Sequence, residues 1–396
     1  MLALRLARGA HPLVQLRRLL VAAATAGTGF LLLCTLTYAM EHPGAGSVLR
    51  LAWCLAPIAA TVYFAVAVAR TDPATRPRAG LSAVGLGPGR LMVLAAISTA
   101  VACTLGSMLA LLFFLHLRGD LSGLPFDGAA AELLAADKPL PLAAALTLLA
   151  LVPLLASAAS AVALRPRSVK AGGRTDGGTA SEPEPAQEGP APAPSGLPWG
   201  VALLAAGLAV ETYASRAGGG SGAGSGLPMP GGLAGSPAGV LVGWALTALG
   251  LALAGPGLTY LCGRILQAVR PGAVRLLAGR VLQEEARRIG RPLGVVCAVA
   301  SGAYASVVLY AGPRPDVGPL TALGALLVAG CAVLTLATAA VEARQARSDT
   351  TAALLRLGAP ATMLRSSVAL RAGALATVFG TLTWVVAELA AVPLAR

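Results

Sequence analysis

The chain has 396 residues, 56% of them hydrophobic and 12% charged, with a mean hydropathy of +0.75. Water-soluble domains keep about a quarter of their residues charged, so this composition excludes one. The formal charge of +13 therefore has to be understood on a chain in lipid, where basic residues set orientation and meet headgroups.

In chain order, Arg5, Arg8, Arg17 and Arg18 precede a first apolar run at residues 19–40. That run is longer than the apolar part of a secretory signal, and a matching segment recurs in mid-chain, so a retained helix is expected. A short turn at Glu41–Val48 leads to a second run at 50–69. A basic stretch with Arg70, Arg76, Arg78, Gly85 and Arg90 then leads to a third at 91–117. Further runs at 140–164, 199–215, 239–261, 293–312, 319–341 and 366–391 bring the expected spans to nine. Several exceed the ~18 to 20 residues that cross a ~30 Å hydrocarbon core as helix. With the N-terminus in the cytoplasm, 23 of the 30 basic residues fall inside, six fall outside, and Arg371 lies within the last span. No other phase gives this bias, which the positive-inside rule requires. Membrane lipid, and not nucleic acid, is the expected contact of the basic surface.

Two joints interrupt the spans. Ala171–Ser195 is rich in Pro, Gly and polar residues and is expected to be a disordered cytoplasmic linker. Ala217–Gly239 is Gly-rich and is expected to be a flexible external loop. Placing Gly85 over Gly358, 273 positions later, carries much of the first third of the chain onto the last third without a gap, residues 1–117 answering 274–390. Arg18 then falls on Arg291, and Leu91 on Leu364. Each unit has a basic lead-in, a helix out, a short external turn, a helix back, a cytoplasmic turn and a third helix. In the second lead-in, Leu277, Val281 and Leu282 can share a face, with Arg275, Arg280, Arg287 and Arg288 towards water or headgroups. A membrane-surface elbow is the simplest expectation for it.

Cys34, Cys54, Cys103, Cys262, Cys297 and Cys331 all lie in or beside apolar runs without a C-x-x-C pair, and read as packing residues. His11, His42 and His116 are too scattered for a metal site. There is no phosphate-binding loop of the form G-x-x-x-x-G-K-[ST], no nucleophile elbow and no zinc helix. No enzyme activity or cofactor is therefore expected of this chain alone. Glu211, Glu342 and Glu388 fall near span ends, where snorkelling to the interface is expected, so an ion-coupled carrier lacks its mid-membrane acid.

One stretch carries a more specific signal. "EARQARSDTTAALLRLGAPATMLRSSVALRAG" places Arg344, Arg347, Ala353, Leu354, Leu355, Arg356, Leu357, Gly358, Ala359 and Arg365 between two apolar runs. Gly358 can end a short helix in a left-handed cap, and Leu354, Leu355 and Leu357 offer apolar anchors to a soluble partner. The stretch resembles the cytoplasmic turn of the FtsX-like permease family, the membrane subunits of MacB-type ABC transporters. Arg76, Arg78, Leu81, Ala83, Val84, Gly85 and Leu91 form a more degenerate first copy. Against the family, "LLRLGA" is one residue shorter, the external domains are reduced to Glu41–Val48 and Arg314–Gly318, and the second unit stops after its third helix.

The resemblance implies an all-α polytopic protein of about nine spans, ten if the duplication were complete. Residues 1–164 would be a first FtsX-like unit of four spans and 165–198 a disordered linker. Residues 199–265 would supply two connecting spans, and 266–396 a second unit of three spans with an external C-terminus. By resemblance, the chain would be the permease of an ABC transporter in the cell membrane. A separate cytoplasmic ATPase, in two copies, would bind the turns at Arg76–Arg90 and Arg344–Arg365 and drive export or extraction of a lipophilic or peptide substrate. The alternative is a non-transporting mechanotransmission or signalling subunit that acts on an external partner.

Overall fold

The computed structural model describes residues 12–42, 44–72, 88–121, 128–132, 134, 136–165, 194–218, 238–268, 272–309 and 318–391. Most of the two joints, together with Arg76, Arg78 and Gly85, lies outside these residues.

Among the described residues every regular element is a helix. In chain order these are α1 (Pro12–Glu41), α2 (Ala45–Trp53), α3 (Leu55–Thr71), α4 (Pro88–Arg118), α5 (Leu142–Ala163) and α6 (Leu197–Gly218). They continue with α7 (Ala238–Ala268), α8 (Ala273–Leu309), α9 (Pro319–Ala346), α10 (Ser348–Arg356) and α11 (Ala361–Ala391). Seven helical segments are long and apolar enough to cross a membrane, within α1, α2–α3, α4, α5, α7, α9 and α11. Residues Leu197–Tyr213 of α6 form a shorter apolar helix. The protein is thus a helical, multi-pass membrane protein. The turn expected at Glu41–Val48 is instead largely the start of α2, which runs on through Cys54 into α3.

The outward faces show what surrounds it. On α4, Leu94, Ile97, Val101, Leu105, Leu109 and Leu112 recur at helical spacing and are each 54–62% exposed, while Leu91, Ala95, Cys103, Ala110 and Phe114 of the same helix are buried. Such a stripe is costly in water, at about 25 cal/mol per Å², and unremarkable against lipid tails.

The first bundle is built around α1, with α4 as its chief partner and α3 and α5 beside it. Small residues let the axes approach: Ala22 and Thr25 of α1 lie directly against Gly106 of α4. The hydroxyls of Thr25 and Thr28 donate to carbonyls four residues back, Val21 and Ala24, each at 2.9 Å. Thr28 and Thr61 then share a hydrogen bond of 2.8 Å between α1 and α3, with both side chains fully buried. Apolar contacts follow along the same axis, from Val21, Phe64 and Cys103 at one end to Leu33, Phe114 and Leu149 at the other.

In the second bundle α7 lies between α6 and α8, and α11 packs on α8. Glycines make this possible. Gly243, Gly250 and Gly257 of α7 recur every seven residues and face α6, where Gly200 and Gly207 have the same spacing. Gly255 and Gly263, on another face of α7, meet Gly290 and Gly279 of α8 backbone to backbone. Small residues at a helix interface are how helices associate in lipid, where apolar side chains gain nothing by leaving the solvent. Helix α9 joins the bundles, packing on α3 and α1 as well as on α8.

The second lead-in is not a surface elbow. It is the first half of α8, continuous through Pro292 with the apolar half and packed along the extended end of α7. The expected faces hold except at Arg275: Leu282 is buried, Leu277 and Val281 are half-buried, and Arg280, Arg287 and Arg288 are exposed, but Arg275 is half-buried. All six cysteines are free and buried.

Candidate functional site

The two ends of the bundle differ in charge. One holds Arg18, Arg90, Arg288, Arg344 and Arg365; at the other, Arg118 reaches the Lys138 carbonyl and Arg50 lies 3.8 Å over the Tyr38 ring. At the arginine-rich end, between α9 and α11, stands α10. It touches α9 only sparsely and so projects from the bundle.

The local geometry of α10 follows from its sequence. Leu357 ends the helix, and Gly358 takes a φ of +88°, a left-handed conformation that disfavours residues with a Cβ. The Gly358 N–H donates to the Leu355 carbonyl at 3.1 Å, and the Ala359 N–H donates to the Leu354 carbonyl at 3.0 Å. These two bonds are the Schellman pair that satisfies the last carbonyls of a helix. The left-handed cap expected at Gly358 is therefore present. It leaves Leu355 47% and Leu357 84% exposed, with Arg356 exposed between them and Leu354 half-buried. Arg344 and Arg365 flank α10 and are exposed, and Arg90 is exposed at the start of α4.

Arg347 does not join this outward set. Its side chain is 26% exposed and turns towards α8, where Nε lies 2.9 Å from Glu285 Oε1 in an ion pair and donates to the Ala343 carbonyl at 3.0 Å. A corresponding tie stands in the first bundle, where Arg18 of α1 pairs at 2.5 Å with Asp72, the residue that ends α3. In both places, the second helix of the trio is pinned to the first just before an inter-helix turn. Beside Arg18 and Asp72 lies a small open cleft lined by Val68, Ala95 and Thr99.

Glu285 was not singled out by the sequence reading. The available signal was its position in "LQEEARR": three residues after Leu282 and seven after Ala278, it falls on the stripe that α8 buries. An acid on an apolar stripe requires a partner, and Arg347 is that partner. Burial pushes the Glu285 carboxyl up to about 7, against the opposing pull of Arg347 and then Arg288, with Glu284 adding to the rise.

A pH effect follows. The native carboxyl holds a proton at higher pH than the unfolded one, at a reference value of 4.5, so between these values the folded state binds more protons. Stability from this group therefore falls as pH rises through that window and levels off above about 7. Thermal unfolding of wild type and Glu285→Gln across this range should diverge, with the variant lacking the slope. Identical slopes would show that Glu285 does not titrate there.

The acids expected to snorkel divide. Glu342 is half-buried, and Glu388 is half-buried and accepts from the Tyr304 hydroxyl at 3.0 Å. Glu211 corrects the expectation: it is fully buried against α7. Its position along α6 gave a span end, but close approach at Gly243 closes the route to the interface. Among the described residues no cluster of three or more potential metal ligands occurs. No protein-family model, curated protein or solved structure matches this chain.

Proposed function

We propose that the chain is the permease subunit of an ABC-type complex of the FtsX-like kind, driven by a separate cytoplasmic ATPase. One observation carries this reading: α10 is a short, capped helix that projects between two long apolar helices and presents Leu355, Arg356 and Leu357 to a partner. A loop serving only to reverse the chain needs no such helix, whereas a turn that receives force does.

The pairing of helices supports two units. Helix α1 packs on α3 and α4, and α8 packs on α9 and α11. In the first trio Gly106 of α4 lies against Ala22 and Thr25 of α1; in the second, Cys297 of α8 reaches the Phe379 carbonyl of α11 at 3.7 Å. Phe379 lies 273 positions after Gly106, and Cys297 lies between Val295 and Ala298, the positions 273 after Ala22 and Thr25, which is what a duplicated trio would give. Counting α6 and α8 with the seven longer segments gives nine crossings, with the arginine-rich end cytoplasmic and the chain in the cell membrane.

On this reading the ATPase, in two copies, engages α10 and the first turn at Arg76–Arg90. Its closure displaces α10 and, through Arg347 and Glu285, the basic half of α8. The Arg18–Asp72 pair passes the first turn's motion to α1. The membrane helices then expel or extract a lipophilic or peptide substrate, while the chain itself performs no chemistry.

Reconstitution with a cytoplasmic ATPase encoded beside it tests the proposal. Association, ATP hydrolysis stimulated by substrate, and efflux from vesicles are expected together. Hydrolysis coupled to outer-surface movement without efflux would favour the non-transporting subunit, and failure to associate would refute both readings.

A further inference from the structure

Glu285 has an arginine and Glu388 a tyrosine, but Glu211 of α6, with 0% exposure, has among the described residues neither a cation nor a full set of hydrogen bonds. Its Oε1 accepts from Trp244 Nε1 of α7 at 2.6 Å, and its Oε2 is buried without a partner. One turn earlier on α6, Gly207 faces Thr247 so closely that a Cβ there would stand 2.5 Å from the Thr247 Oγ1. That hydroxyl is also buried and unpartnered. The omission is unusual for this protein: Thr25, Thr28, Thr35, Thr71, Thr99 and Thr259 each donate to a carbonyl three or four residues back. A glutamate side chain on a helix leans towards the helix N-terminus, here towards Thr247.

The surroundings define what can bind. From α7 the titratable or charged groups are Tyr260, Cys262 and Arg264, all in its other half; from α11 they are Arg365 and Arg371 near the arginine-rich end, and Glu388, bonded to Tyr304. On α6, Tyr213 is 77% exposed, and the side chain of Arg216 lies outside the described residues. An isolated carboxylate in such a place is strongly disfavoured, whereas the neutral acid needs one acceptor for its O–H. There is little room for a metal ion, because a Cβ on Gly243 would lie 2.9 Å from the Glu211 Cβ and 3.0 Å from its backbone nitrogen.

We propose that Glu211 is a proton-binding site inside the membrane domain. In the closed α6–α7 hairpin Oε2 holds a proton, and the unpartnered Thr247 hydroxyl, which faces α6 one turn away, is the acceptor a side-chain adjustment would supply. When the helices part away from the arginine-rich end, the O–H bond breaks and the proton passes to water, leaving the electron pair on the carboxylate. The proposal is independent of the permease reading, since it rests on α6 and α7 alone.

Infrared difference spectra of the full-length protein in lipid vesicles, between about pH 5 and pH 9, test it. In a Glu285→Gln background, which removes the other acid that titrates in this range, a carboxylic-acid carbonyl band is expected; it is absent once Glu211→Gln is added, displaced by Thr247→Val and unchanged by Arg216→Gln. Superimposable spectra with and without Glu211→Gln in that background would overturn the proposal. So would a band that emerges only in Arg216→Gln, which would reveal an ion pair, or one that follows sodium at fixed pH, which would make the occupant a metal. Should Glu211→Gln fail to fold, Trp53→Phe, Trp199→Phe and Trp384→Phe together leave Trp244 as the sole indole beside an intact Glu211. Its emission is then expected to titrate, and a flat trace over the same range would overturn the proposal.

Discussion

Replacing Gly290 by valine is expected to destabilise the protein by about 3 kcal/mol or more, the largest stability loss predicted for a single position. A Cβ at Gly290 would stand 2.5 Å from the Pro256 Cα and 2.6 Å from its nitrogen, and these are backbone atoms of α7 that no rotamer change can move aside. The helices would have to separate along the contact that also includes Gly255, Gly263 and Gly279. Gly380→Ala on α11 is the control, because nothing lies within 4 Å of a Cβ there. Thermal unfolding in detergent should show a large fall for the first and almost none for the second. Equal melting of both would mean that α7 and α8 do not pack backbone to backbone.

Leu355→Ala with Leu357→Ala is expected to weaken binding of the proposed ATPase about 100-fold or more, taking apolar anchors at an interface to contribute about 1.4 kcal/mol each or more. Both side chains are largely exposed in the isolated subunit, so folding should be unaffected. Gly358→Leu acts differently. At a φ of +88°, a residue with a Cβ costs roughly 1 to 2 kcal/mol, which frays the cap and misaims α10. A smaller loss, about tenfold, is expected. Titration of purified ATPase onto the subunit in nanodiscs measures both. An undiminished affinity in the double variant would remove α10 from the interface.

Much of this was legible along the chain. Run length and hydropathy announced the helices because burying an unpaired backbone amide in lipid is prohibitive, which leaves a helix as the solution for each apolar run. Gly358 announced the end of α10 because positive φ is a local, steric property. Arg344, Leu355, Arg356, Leu357 and Arg365 are exposed as expected, since nothing distant competes for them.

What failed to show was lateral. Arg347 reads like its neighbours along the chain, yet it turns inward because Glu285, 62 positions earlier, needs a cation. Glu211 reads as a span-end acid, yet α7 closes over it through Gly243 and Trp244. The second lead-in reads as a surface helix, and it stands upright because α7 extends far enough to give it a glycine-lined partner.

The sequence by itself determined that the protein lives in lipid, which stretches of it form apolar helices, and which short turn is capped to project. Only the tertiary structure decided which face of each helix meets which neighbour, and with it which charges are paired and which acid is sealed away. Hydropathy and backbone sterics act within a turn or two, whereas the fate of a buried charge depends on what a distant segment places against it.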